Sequence, residues 1–165
     1  MDLSVITGHA ESIATEDYLV ALVYLFGSRA DQNTGRGTVG PMSDYDFDLL
    51  VTRGVDGHTV SAAFSHAMAK HLGTDRIDVV LLNAAAVELA YAVIAQGTLL
   101  YQRDTATRVE YEANVMSRYG DYLPVLRAQR RQILEGGDYA KRIQRYREAL
   151  GRTRRTLSQI ASAPD

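Results

Sequence analysis

Three stretches of apolar residues in the first half of the chain have the length of buried β-strands. Residues 19–26 (LVALVYLF) are apolar throughout and are followed by Gly27, and the run is too short for a typical helix. Residues 44–51 (DYDFDLLV) alternate a carboxylate with an apolar residue and then become wholly apolar. Residues 76–82 (RIDVVLL) are β-branched and apolar, with one acid among them. The pattern therefore predicts three strands.

The segments between and after these strands have helical spacing. Over residues 58–72, apolar side chains recur at intervals of three and four, which predicts a helix. A second helix is predicted over residues 84–96, where Gly97 stops it, and a short edge strand over residues 98–101. From Asp104, which is placed to cap a helix, the remainder is predicted to be mostly helical, with breaks at Pro124 and at Gly136-Gly137.

The interval between the first two strands has a different composition. Residues 28–32 can form a short helical start, whereas residues 33–43 (NTGRGTVGPMS) combine glycine and proline with few large apolar residues and predict a long exposed loop. Strands that alternate with helices indicate the α/β (α+β) class. We expect a core over residues 1–103 and a helical C-terminal segment over residues 104–165 within the same domain.

Composition narrows the class of protein. The chain has 165 residues, of which 46% are hydrophobic, and this is enough for one compact core. No apolar run is long enough to span a membrane and no secretory signal is seen, so we expect no membrane association and a cytoplasmic location. Cysteine is absent, which excludes a disulfide scaffold, a thiolate metal site and a cysteine nucleophile.

Charge is distributed unevenly along the chain. Residues 1–124 hold eight Lys and Arg against sixteen Asp and Glu, whereas residues 125–165 hold ten against four. A basic helical tail is either a solvated face or a surface for an acidic partner. Because nearly all its basic residues are Arg and apolar residues are interleaved with them, residues 127–155 predict a protein partner rather than nucleic acid.

The candidate chemistry lies where the three predicted strands meet. Gly27 and Ser28 follow a buried strand and open a short helix, a place where free backbone N–H groups can hold a phosphate. Asp44 and Asp46 lie on one face of the second strand, because side chains alternate along a strand. Two such carboxylates repel each other unless a cation is bound, and Mg²⁺ prefers oxygen ligands together with substrate phosphates. Asp78, in the third strand, supplies a third acid for a phosphoryl-transfer site.

Each of these features has a plain structural explanation when it is taken alone. An acidic pair at the start of a strand is often only a solvated edge, and a single acid in a strand often faces water. Their conjunction is rare by chance and favours a functional site. Asp48 shares the face of Asp44 and Asp46 if the strand is regular, so it is a second candidate for the site, or it tunes the site from outside the metal shell.

With these motifs the chain resembles the minimal nucleotidyltransferases of the polymerase β superfamily. The resemblance rests on residues 25–30 (LFGSRA), 43–47 (SDYDF) and 77–82 (IDVVLL). It continues through residues 97–104 (GTLLYQRD) and the helical segment beyond, which are similar to the antitoxin (MntA-like) branch of HEPN/MNT toxin–antitoxin pairs, and it covers roughly residues 19–134.

The resemblance implies a nucleotidyltransferase fold, with a small mixed sheet that has helices on one side. It also implies transfer of AMP from ATP, with Mg²⁺, to a tyrosine hydroxyl of a cognate HEPN toxin. Gly27, Ser28 and Arg29 would hold or lie near the nucleotide phosphates. The metal ligands would be Asp44, Asp46 and Asp78, and Asp78 would also be the candidate base.

Alternatives to this function remain at the level of the sequence. The chain is either an enzyme that modifies the toxin or an antitoxin that neutralises it by binding alone. A third possibility is an enzyme with a different acceptor, which transfers AMP to a small-molecule hydroxyl such as that of an aminoglycoside. Fifteen residues, 29–43, separate Ser28 from Asp44, and this interval is longer than is usual in the family. Residues 136–165 match no motif.

Overall fold

The computed structural model describes residues 2–16, 19–33 and 43–135 of the chain. In chain order, the elements of those ranges are α1 (Leu3–Glu16), β1 (Val20–Phe26), α2 (Ser28–Asn33), β2 (Tyr45–Val51), α3 (Gly57–Leu72), β3 (Ile77–Leu81), α4 (Val87–Gln96), β4 (Thr98–Gln102) and α5 (Thr105–Glu135). The three predicted strands, the helix over 58–72 and the edge strand are confirmed, with bounds that differ by one or two residues. The helix predicted from residue 84 begins at Val87.

The four strands form one mixed sheet in the order β3-β2-β1-β4. β1 runs antiparallel to both β2 and β4, whereas β2 and β3 are parallel. Parallel neighbours need a crossover connection, and α3 provides it between β2 and β3. This crossover brings residues that are distant in the sequence to adjacent positions on two strands.

Helices cover both faces of the sheet, whereas the resemblance implies helices on one side only. One core contains the β1 and β2 side chains Val23, Leu25, Phe47 and Leu49 together with side chains of α1 and α3. A smaller core on the opposite face contains Leu22 and Tyr24 of β1, Val93 of α4 and, packed against it, Tyr111 of α5. β1 is therefore buried on both faces, which explains why its sequence is apolar throughout.

Side-chain caps define the beginnings of two helices. Asp56 precedes α3 and accepts a hydrogen bond from the His58 backbone N–H at 3.1 Å. Asp104 precedes α5 and accepts one from the Thr107 N–H at 2.7 Å, which confirms its predicted capping role. Both carboxylates have a lowered pKa, chiefly because of the hydrogen bonds from Thr59 to Asp56 and from Thr107 to Asp104.

Two predictions about helices differ from the structure. α1 is not among the predicted elements, although Ile6, Ala10 and Ala14 recur at a spacing of four and are all buried. The break predicted at Pro124 is wrong, because α5 continues through it. Proline removes one intrahelical hydrogen bond, but its fixed φ is compatible with a helix. The predicted break at residues 136–137, the predicted tail helix over 136–165 and most of the predicted loop over 33–43 lie outside the described residues.

The chain consists of two compact units, of which the first comprises Met1–Tyr119. It contains the sheet, α1 to α4 and the first half of α5. The second begins at Gly120, and its described part is the C-terminal half of α5. The predicted division at residues 103 and 104 within one domain stays a prediction. Within the described ranges, no helix has the length and apolar character needed to cross a bilayer.

Candidate active site

Asp46 and Asp78 are side-by-side partners on the parallel strands β2 and β3. Paired residues of neighbouring strands point to the same face of the sheet, so the two carboxylates share one face. That face is opposite to the one on which Phe47 and Leu49 are buried. Asp46 is partly buried and Asp78 is exposed, so the pair lies at the surface of the sheet rather than within its core.

Asp44 immediately precedes β2, and its side chain is exposed. Burial raises the pKa of the Asp46 carboxyl above its ordinary value, and the negative charges of Asp78 and then Asp44 raise it further. Asp78 and Asp44 therefore each lie close enough to Asp46 to repel its negative charge. Repulsion of this kind is relieved when a cation binds between the carboxylates.

Gly27 brings the chain directly against this acidic group. Its φ of +72° lies in the left-handed region, which favours glycine. A β-carbon at this position would overlap the Oδ2 atom of Asp46 and would lie 3.2 Å from its Cγ atom. Only glycine allows the turn after β1 to approach the carboxylate so closely. Ser28, the first residue of α2, follows and has an exposed side chain.

Arg29 contacts the chain just ahead of β2. Its Nε and Nη2 atoms donate hydrogen bonds to the Ser43 carbonyl oxygen at 3.0 and 2.6 Å, and Nε also donates to the Asp44 carbonyl oxygen at 3.2 Å. The guanidinium carbon lies 3.7 Å above the centre of the Tyr45 ring, in cation–π contact. The guanidinium of Arg29 thus binds backbone and an aromatic face.

Asp48 lies on the same strand as Asp46 but is only 2% exposed. Burial and the neighbouring charge of Asp46 raise the pKa of Asp48 to about 7. Its Oδ2 atom is buried and makes no hydrogen bond. Across the sheet it pairs with Tyr24 of β1, whose hydroxyl donates to the Glu112 Oε1 atom of α5 at 2.7 Å.

Further polar groups, all of them in α5, lie near Asp48 and Tyr24. Arg108 forms an ion pair with Glu112, with Nε and Oε1 3.2 Å apart. The Tyr111 hydroxyl is buried without a hydrogen-bond partner, and burial and then the charge of Asp48 raise its pKa to about 12. This polar group is not predictable from the sequence, because Tyr24, Glu112 and Asp48 come together only when α5 packs over β1.

The half of the face near β3 is open, whereas the half near β1 and β4 is covered. Asp78 and Val80 of β3 are exposed, Val80 to 39%. Tyr24 and Leu22 of β1 are buried beneath α4 and α5. The carboxylates of Asp46 and Asp78 therefore line an open surface where a ligand can approach.

The donor set of this surface suits Mg²⁺, which takes oxygen ligands. Among the described side chains, no group of three Asp, Glu, His or Cys residues could hold a metal ion by itself in the arrangement seen. Mg²⁺ is commonly bound by one or two carboxylates, with water and substrate phosphates completing its octahedral shell, so a full protein cage is not required. The mutual repulsion at Asp46 and the adjacent Gly27 turn fit that mode of binding.

Comparison with known families agrees with this geometry. The chain matches the family described as polymerase beta, nucleotidyltransferase, over residues 10–106, which is more than half of its length. The chain belongs to this nucleotidyltransferase family. The match includes all four strands and every predicted site residue. No protein of curated function matches the sequence of this nucleotidyltransferase.

Solved structures share the fold of the nucleotidyltransferase. A toxin–antitoxin complex with AMP-PNP contains a chain that is 22% identical, with a TM-score of 0.59, and the match covers 82% of this chain and 98% of that one. A mutant of the toxin–antitoxin complex MntA-HpeT matches at 21% identity and a TM-score of 0.58, with the same coverage. The complex MntA-HepT matches at 22% identity and a TM-score of 0.52, over 76% of this chain and 90% of that one. At these identities the likeness is one of fold.

Proposed function

We propose that this nucleotidyltransferase is an antitoxin that transfers AMP from ATP to a tyrosine hydroxyl of a cognate HEPN ribonuclease toxin and thereby neutralises it. The observation that carries the catalytic part is the side-by-side placement of Asp46 and Asp78, with the Gly27 backbone against Asp46. Acids next to a tight glycine turn put metal ligands beside a phosphate-binding position. The antitoxin part is supported by the fold neighbours, which are components of toxin–antitoxin complexes, one of them with AMP-PNP.

In this proposal the predicted site residues have separate roles. Gly27 and Ser28 hold the nucleotide phosphates through backbone N–H groups and a hydroxyl. Asp44, Asp46 and Asp78 are the proposed ligands of Mg²⁺, and Asp78 is also the proposed base. The guanidinium of Arg29 is hydrogen-bonded to backbone carbonyl oxygens and not directed to a phosphate-binding position by any contact described. Its role at the phosphates stays a prediction.

The proposed reaction is an in-line displacement at the α-phosphorus of ATP. The tyrosine oxygen forms a bond to phosphorus, the bond to the bridging oxygen breaks, and pyrophosphate leaves. The proton of the tyrosine hydroxyl passes to the carboxylate of Asp78, which is exposed on the open half of the face. Bound Mg²⁺ supplies neutralisation of the charge on the phosphates. Asp44, Asp46 and Asp78 would hold that ion on the open half of the face.

The proposed partner is the toxin protein, in a hetero-oligomer. In the C-terminal part of α5, Arg127, Arg130 and Arg131 are exposed, and so are Val125, Ile133 and Leu134, the last to 70%. Arginine next to exposed apolar residues is typical of protein interfaces. Nucleic acid is not part of the proposal. The rest of the basic segment predicted to bind the partner lies outside the described residues.

The test uses the purified protein, the product of the neighbouring reading frame, Mg²⁺ and ATP labelled in parallel at the α- or the γ-phosphate. We expect label from the α-position alone on the toxin, and peptide mass spectrometry should locate one or more AMP groups on tyrosine. The Asp44→Asn/Asp46→Asn double variant is the matched control and should leave the toxin unlabelled.

Other outcomes would contradict the proposal. An unlabelled toxin that is nevertheless inhibited, equally by the wild type and by the double variant, would indicate neutralisation by binding alone. Label on an aminoglycoside offered in the same assay, with none on the toxin, would indicate a small-molecule acceptor.

A further inference from the structure

We propose that Arg29 is a positioning residue for the metal ligand Asp44, because it clamps the backbone on both sides of that residue. The inference rests on the proposed function, in which Asp44 binds Mg²⁺. It differs from the expectation that Arg29 contacts nucleotide phosphates.

The hydrogen bonds of Arg29 bracket a single residue. The carbonyl oxygen of Ser43 lies just before Asp44, and the carbonyl oxygen of Asp44 lies just after its α-carbon. Nε and Nη2 of Arg29 bind the first at 3.0 and 2.6 Å, and Nε binds the second at 3.2 Å. Two carbonyl groups that are held by one rigid guanidinium fix the backbone dihedral angles between them. The direction in which the Asp44 side chain leaves the backbone follows from those angles.

The Tyr45 ring fixes the position of the Arg29 guanidinium. The ring is buried, at 5% exposure, and stacks on Phe47 with a centroid separation of 6.2 Å. The guanidinium carbon of Arg29 lies 3.7 Å from the centre of the Tyr45 ring. A planar cation on an immobile aromatic face loses little further freedom when it forms its hydrogen bonds. The clamp is thus anchored in the core of the sheet.

Asp44 needs such a clamp because of its place in the chain. It lies one residue ahead of β2, and the first hydrogen bond that ties this end of β2 to the neighbouring chain is donated by the Tyr45 N–H to the Arg76 carbonyl oxygen at 3.0 Å. The charges of Asp44 and Asp46 repel each other, which favours displacement of the backbone at Asp44 away from the site. Arg29 resists that displacement because it holds the carbonyl oxygens of Ser43 and Asp44.

The experiment separates a backbone clamp from a phosphate ligand. Binding of a fluorescent ATP analogue is measured by titration with excess EDTA and then with saturating Mg²⁺, for the wild type, Arg29→Lys and Arg29→Met. We expect affinity in EDTA to stay within about twofold of the wild type and affinity in Mg²⁺ to fall about tenfold in both variants, because lysine keeps the charge but cannot make the fork of hydrogen bonds.

A phosphate ligand would give a different pattern. Loss of affinity for Arg29→Met in EDTA, with recovery in Arg29→Lys, would overturn the proposal in favour of phosphate binding. Unchanged affinity of both variants in Mg²⁺ would also overturn it. Arg103→Lys is the matched control, because Arg103 donates to Thr52 and Thr107 at the opposite end of the sheet, and it should bind the analogue as the wild type does.

Variants of Tyr45 keep the proposal testable if an Arg29 variant folds poorly. Tyr45→Phe keeps the aromatic face and should leave Mg²⁺-dependent affinity unchanged, whereas Tyr45→Leu keeps an apolar side chain without the face and should lower it about threefold. Equal affinities of the two variants in Mg²⁺ would contradict the anchoring role of the ring. A wild-type protein that binds the analogue equally with Mg²⁺ and with EDTA would contradict the proposed function itself.

Discussion

The backbone of Gly27 lies so close to the carboxylate of Asp46 that no methyl group fits between them. An added β-carbon would overlap the Oδ2 atom and approach Cγ to 3.2 Å. We therefore expect Gly27→Ala to displace the Asp46 side chain and to lower nucleotidyl transfer at least tenfold. At a φ of +72° the added β-carbon also strains the folded state of the variant by about 1 kcal/mol. Transfer rate at saturating Mg²⁺ and ATP, together with the melting temperature, measures both effects.

Gly54 provides a matched control for this substitution. Its φ is +85°, and an added β-carbon would meet nothing within 4 Å. Gly54→Ala should therefore lower the melting temperature through backbone strain alone, while it leaves transfer unchanged. Equal activities of the two variants would show that the contact between Gly27 and Asp46 is unimportant for the reaction.

The acidic pair Asp44 and Asp46 is expected to be needed for turnover and to be unfavourable for stability. Replacing both Asp44 and Asp46 with Asn should abolish ATP turnover, because two of the three proposed metal ligands are lost. The melting temperature of the metal-free protein should stay the same or rise, since burial and repulsion raise the Asp46 pKa and both effects disappear in the variant. Calorimetry should show loss of Mg²⁺-ATP binding, and unaltered binding would contradict the assignment.

Asp78 is expected to act mainly on the chemical step. It is exposed beside Asp46, where it can accept a proton from the attacking hydroxyl. Asp78→Asn should keep part of the nucleotide affinity and lower the transfer rate by about a hundredfold or more, the usual effect of losing a general base. Single-turnover rates under saturating ATP give this value directly. A rate within about twofold of the wild type would mean that another group, such as Asp48 or water, takes the proton.

Asp48 is expected to make the stability of the metal-free protein depend on pH. Its folded pKa is raised from 3.8 to about 7, so the unfolded chain loses this proton at lower pH than the folded chain does. The contribution to stability is thus fully present below about pH 4 and is lost as the pH rises to about 7. The change in the free energy of unfolding caused by Asp48→Asn should therefore be more favourable at pH 8 than at pH 4, by up to about 4 kcal/mol.

Urea unfolding in EDTA at both pH values measures this difference. The comparison is made between the wild type and Asp48→Asn at each pH, so the titration of other groups cancels. An effect of the substitution that is the same at pH 4 and at pH 8 would show that burial does not raise the pKa of Asp48.

Much of the sheet is predictable from the sequence because its strands have a clear period. The alternation of acids and apolar residues in β2 places Asp46 and Asp48 on one face, as the structure shows. The pairing of Asp46 with Asp78 is not predictable from periodicity, because it depends on the register between two strands joined by α3. Asp78 is expected near the other two acids because it is the one acid in an otherwise apolar strand, and the resemblance adds its role as a metal ligand.

Other features cannot be predicted from the sequence, for different physical reasons. Arg29 is charged and lies next to the Gly27-Ser28 turn, so a phosphate role is the natural expectation, yet its hydrogen bonds go to backbone carbonyls that no side-chain pattern reveals. Pro124 predicts a helix break from local propensity, whereas α5 continues through it. The site roles themselves stay predictions until the variants are measured.

The parallel pairing of β2 and β3 bears on how the protein folds during synthesis. Asp44 and Asp46 leave the ribosome well before Asp78, because α3 lies between β2 and β3 in the sequence. A long-range pairing of this kind forms slowly, because the loop must close before its contacts are gained. A nascent chain that ends before β3 therefore lacks the complete acid set. The acidic group that is proposed to bind Mg²⁺ is therefore complete only after β2 and β3 have paired.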